Sequence, residues 1–192
     1  MQLDFSPVRS GALTMNDLAV ALTIEQLKAL SSASVERMLA LIDGCSDADV
    51  VFVPDDPEAD DSAAAELADR GLAWTLGHNI VHATASAEEY ASTAANLARG
   101  VPFHSRPRYE TAWESIVSVE QCRQRLRESR RIRLASLDLW PDIPQLELGY
   151  VAWSSSGWVN AKGIFTWGLA HDADHERQMV KILQQRSSGS AS

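Results

Sequence analysis

Four of the five histidines in this 192-residue chain form two pairs spaced i, i+4: His78 and His82 in WTLGHNIVH, and His171 and His175 in HDADHERQ. Side chains four residues apart on a helix lie one above the other on the same face, so each pair could bring two imidazole nitrogens to one point. Imidazole is a common ligand of divalent transition metals, and a site with only three protein ligands leaves room for water or substrate. The alternative is a pair of buried imidazoles satisfied by carboxylates or carbonyls. Two histidines on one inward face favour the metal. A zinc-protease reading of HDADH fails, because that chemistry needs a glutamate directly after the first histidine as general base. Asp172 stands there instead, on a shorter stem and about 100° round the helix, where it is expected to meet solvent. The fifth histidine, His104, sits in the proline-punctuated stretch RGVPFHSRPRYETA and is expected to be exposed.

Holding imidazoles in this way takes long helices, and the apolar periodicity predicts four. The first covers about residues 16 to 43, with Leu18, Leu22, Leu27, Leu30, Met38, Leu39 and Ile42 on its apolar side. The acidic, proline-bearing segment SDADVVFVPDDPEADDS then reads as a loop with a short extended VVFV. A second helix is expected from about 62 to 98, broken near Gly71. A third runs from about 112 to 137 and stops before LWPDIP. QLELGYVAWSSSGWVN fits either a short hairpin around Ser156 and Gly157 or a plain loop. Asn160 caps the fourth helix, about 161 to 186. Its stripe of Ile164, Gly168, His171, His175, Gln178 and Ile182 faces the bundle. The fold class expected is all-α, a four-helix bundle forming a single domain over residues 1–186, with SSGSAS (187–192) a disordered tail. Helices of this length span about 40 Å, and a loop of about 14 residues at 99 to 112 can reach roughly 46 Å. That loop can cross the whole bundle and leave the second and third helices parallel.

The order Trp74-Thr75-x-Gly77-x-x-x-x-His82, followed much later by His171-x-x-x-His175-x-x-Gln178, resembles the DinB-like superfamily of metal-binding four-helix bundles. Bacillithiol and mycothiol S-transferases and the metal-binding domain of sulfoxide synthases belong to that group. The resemblance spans most of the chain and implies that His82, His171 and His175 hold one divalent transition metal, zinc, nickel or iron. It also implies parallel second and third helices, a thiol-transferase activity and a homodimer. Where the family often carries a glutamate this chain has His78, which could be a fourth ligand, a proton shuttle or a hydrogen-bonding support. Asp174, Gln178 and Glu89 are further candidates for orienting the ligands, each with solvent contact as the simpler reading. If the ligand set carries over, one nitrogen of each of the three histidines should converge within roughly 3 to 5 Å. His78 should then lie just outside the triangle and Gln178 on its border.

The metal would lower the pKa of a thiol and hold it as a nucleophile, so the expected partners are a small-molecule substrate and a low-molecular-weight thiol. A metal-binding stress-response bundle without transferase activity and a metal-dependent hydrolase are the alternatives. Arg123 and Arg130 on the third helix could bind a carboxylate of an anionic cosubstrate, or run along the bundle edge to solvent. With a net charge of −9, the chain is not expected to bind nucleic acid. It has no apolar run of membrane-spanning length, no recognisable signal peptide, and only two cysteines, Cys45 and Cys122, in no metal-type spacing. A cytoplasmic location is expected. Trp74 and Trp167, which flank the histidine faces, read first as core and second as cavity lining.

Overall fold

The structure is a computed structural model that describes residues 2–57, 59, 67, 70–105, 111–154 and 156–189. Short helices α1 (Ser6–Arg9) and α2 (Met15–Ala19) precede α3 (Ile24–Leu41) and α4 (Asp47–Val50). The chain continues through α5 (Leu76–Ala98), a 3₁₀ turn at Trp113–Ser115, α6 (Val119–Asp138), strands β1 (Gly149–Val151) and β2 (Trp158–Asn160), and α7 (Ala161–Gly189). The described residues are mostly helical, and α3, α5, α6 and α7 make the bundle.

The first expected helix is two. Thr23 caps α3 by accepting from the Gln26 amide, while the Gln26 side chain accepts from the Thr23 amide. This reciprocal pair stops the chain from running on from α2. Asp47–Val50, expected in a loop, forms one helical turn because Ser46 and Asp49 make the same kind of capping box. The expected start of the second helix near residue 62 lies outside the described residues, as does part of the 99–112 loop. Asn160 caps α7 as expected, its side-chain oxygen accepting from the Gly163 amide at 3.0 Å. The hairpin reading also holds, with Val151 paired to Trp158 and Gly157 at φ +63°, a conformation few other residues adopt cheaply. At its far end α7 continues through Ser187 and Ser188, which bond back to the carbonyls of Leu183 and Gln184. The helix therefore takes in the start of the tail expected to be disordered, and residues 190–192 lie outside the described set.

Helix directions follow from the pairs they bring together. Thr84 and Glu88 of α5 meet Arg125, and Leu76 and Ile80 pack with Val119 and Cys122, so α5 and α6 run parallel. The connection between them crosses the bundle, as its length allows. Tyr90 against Gly168 and Asn79 against His175 make α7 antiparallel to α5. Lys28 with Asp138 and Glu36 with Arg130 make α3 antiparallel to α6.

The core has two apolar parts. One gathers Phe5, Met15, Leu27, Leu30, Leu97, Leu137, Ile164 and Phe165. The other gathers Val35, Met38, Ile42, Leu76, Ile80, Leu126, Met179 and Ile182. Each fully buried side chain of this size contributes about 1.5–3 kcal/mol. Between the two, along every bundle helix, lies a belt of buried polar groups: Ser34, Thr84, Ser129, Arg133 and Asp172. Asp172 was expected at the surface and is instead 1 % exposed. Because α7 packs on both α5 and α3, its buried arc is wide enough to take in a residue 100° from His171. No described helix is long and apolar enough to cross a membrane.

Candidate metal centre

Each residue of the Trp74–His82 stretch has a physical task. Thr75 caps α5 by accepting from the His78 amide at 3.1 Å. Gly77 lets the chain after the 3₁₀ turn come close, since a Cβ there would stand 2.7 Å from the Ile116 carbonyl oxygen. That approach brings Trp113 flat against His78, ring centroids 4.6 Å apart at 5°. Trp74 covers the other face of His78 at 4.5 Å and also touches the rings of His82 and His175. His78 is thus held between two indoles and lies outside the cluster formed by the other three histidines.

One turn further, His82 turns toward α7. One nitrogen each from His82, His171 and His175 lies within 4.8 Å of the others, inside the expected range. The Nε2 atoms of His171 and His175 are 3.2 Å apart. His175 is buried, and His82 and His171 are half-buried. The Gln178 side-chain oxygen accepts from His175 Nδ1 at 3.0 Å and from Asn79 Nδ2 at 2.7 Å, and Asn79 Nδ2 itself stands 3.2 Å from the same ring nitrogen. With Nδ1 carrying the proton, Nε2 of His175 keeps its lone pair toward His171. Burial pushes the His175 imidazolium down to about 3, helped by His82 and His78 and opposed by the Gln178 bond. The ring is therefore neutral at neutral pH, the form that can donate to a metal. Ser86, also buried, places its hydroxyl 3.5 Å from His82 Nε2.

On the His171 side a row of aromatic rings leads to the hairpin. Tyr90 meets His171 edge-on at 6.0 Å, Trp153 lies 6.5 Å from Tyr90, and Trp167 packs against Trp153 at 4.9 Å. Gly168 permits this, because a Cβ there would stand 3.2 Å from the Tyr90 side chain.

Other expected site residues lie elsewhere. Asp174 is exposed and held at the surface by Arg9 and Arg177, so it does not orient a histidine. Arg123 and Arg130 are not turned to the histidines; they pair with Asp43, just past the end of α3, and with Glu36 of α3. Glu89 is buried within α5 and His104 is exposed. Asn79, Ser86, Tyr90, Trp113 and Trp153 escaped the sequence reading. Asn79 alone carried a usable signal, standing three residues before His82 on the same helix.

A family model of the DinB superfamily matches residues 19–179, which include all three histidines of the cluster. No curated protein and no solved structure matches the chain.

Proposed function

Because the chain belongs to the DinB superfamily, we propose that it is a metal-dependent enzyme that transfers a low-molecular-weight thiol, with His82, His171 and His175 holding one divalent ion. The convergence of three imidazole nitrogens carries this reading. Two nitrogens 3.2 Å apart are spaced as ligands about 2.1 Å from one ion at an angle of about 100°. Without an ion, one of these two nitrogens must carry a proton and donate to the other for the pair to be stabilised. An all-imidazole donor set suits zinc, nickel or iron.

A bound divalent ion would supply the positive charge that keeps a thiol deprotonated at neutral pH. The chain's own residues do the rest. Burial keeps His175 neutral, and Gln178 with Asn79 fixes its tautomer. Trp74 shields the ring faces from water. The rings from Tyr90 to Trp153 offer an apolar wall on which an acceptor can lie. The nucleophile must come from a cosubstrate: Cys122 is fully buried with its thiol pushed up to about 12 by burial, and burial also raises Cys45.

A second reading, a metal-holding bundle without transfer chemistry, draws support from Arg123 and Arg130, which pair with Asp43 and Glu36 rather than standing beside the histidines. The deciding experiment is conjugation of an electrophile such as a chlorodinitrobenzene to a panel of small thiols, comparing metal-loaded with chelator-treated protein. Transfer is expected only in the loaded sample. Equal rates in both, or no rate with any thiol, would leave the second reading.

A further inference from the structure

Helix α7 carries a carboxylate directly after each of its two cluster histidines: Asp172 after His171, and Glu176 after His175. Both carboxylates turn into the polar belt, where one hydroxyl joins them. Ser34 of α3 has a single hydroxyl proton to share between Asp172 Oδ2 at 2.9 Å and Glu176 Oε1 at 3.1 Å. Arg133 of α6 donates to Asp172 Oδ2 at 2.6 Å. Arg37 of α3 grips both oxygens of Glu176, at 2.8 Å each. Asp172 and Arg133 are 1 % and 2 % exposed, and Asp172 Oδ1 has no hydrogen-bond partner.

A buried ion pair with an unsatisfied carboxylate oxygen is a poor source of stability, because desolvating both charges offsets most of their attraction. It does supply direction. The apolar parts of the core are non-directional and tolerate small rotations of a helix. A turn of about 20° moves an atom about 6 Å from the helix axis by about 2 Å. Metal ligation tolerates roughly 0.2 Å.

We infer that Ser34, Arg133, Asp172 and Glu176 are positioning residues that set the rotation of α7 and so aim His171 and His175 at the shared point. The consequence for metal affinity rests on the metal-binding reading; the aim of the rings does not. Two variants test the inference: Ser34→Ala, and the paired Asp172→Leu with Arg133→Met, which replaces the ion pair by apolar side chains and is expected to fold. The first readout is taken without metal: the proton resonance of the His175 ring N–H held by Gln178, assigned by its loss in His175→Gln. The second is cobalt(II) affinity by chelator competition.

Expected is a paired variant that melts at or above the wild-type temperature, yet loses or broadens the ring resonance and binds cobalt at least about tenfold more weakly. Ser34→Ala should move both readouts in the same direction, and it decides the matter if the paired variant does not fold. A ring resonance unchanged in position and exchange would overturn the inference, whatever cobalt does. If wild type takes up no cobalt while the resonance still responds to the variants, the metal reading falls and the positioning role stands.

Discussion

Acid should destabilise the metal-free protein through His175, by an amount that can be worked out. The folded ring titrates at about 3 against an ordinary 6.5, so between these values the unfolded chain binds a proton that the folded chain does not. Stability then rises with pH across this window. The contribution is fully present above 6.5 and is lost as pH falls toward 3. Each pH unit below 6.5 costs about 1.4 kcal/mol, or about 2 kcal/mol by pH 5. His175 is only 8 % exposed, so solvent screening removes little of this. The loss is a large fraction of the roughly 5–15 kcal/mol that holds an ordinary domain together. The assay is urea unfolding in chelator, wild type beside His175→Gln, from pH 7.5 to pH 5. Titrations common to both proteins, including that of Asp172, whose carboxyl burial raises, cancel in the difference. Wild type should lose about 2 kcal/mol more than the variant over this range. Parallel profiles would refute the idea that burial holds this imidazole neutral.

Gly77→Ala should push the Ile116 carbonyl away from α5 and with it Trp113, costing about 1–3 kcal/mol and shifting tryptophan fluorescence; an unchanged spectrum and melting temperature would show that the close approach is not needed. His78→Ala should leave the metal complement intact, because the ring lies between Trp74 and Trp113 and outside the triangle; loss of metal would make His78 a ligand.

The i, i+4 histidine pairs, the Trp74–His82 spacing and the long loop after α5 made the histidine-bearing faces and the parallel α5–α6 arrangement readable from sequence. These features are local or depend on chain length. Missed features depend on what packs against what. Asp172 looked exposed because its position was judged from one helix alone, and its burial comes with partners on other helices, Ser34 of α3 and Arg133 of α6. Arg123 and Arg130 resembled an anion site because their partners, Asp43 and Glu36, are distant in sequence. The break before α3 was legible in Thr23 and Gln26, but the apolar series from Leu18 through Leu27 masked it.

Whether His82, His171 and His175 hold a metal is tested most directly by the metal content of protein purified without a histidine tag, by mass spectrometry, for wild type and for His82→Ala, His171→Ala and His175→Ala. Wild type is expected to hold one divalent ion per chain and each variant to lose it, with helical circular dichroism largely preserved. A wild-type protein that takes up no metal when offered zinc, nickel or iron, or variants that keep a full complement, would rule out this ligand set.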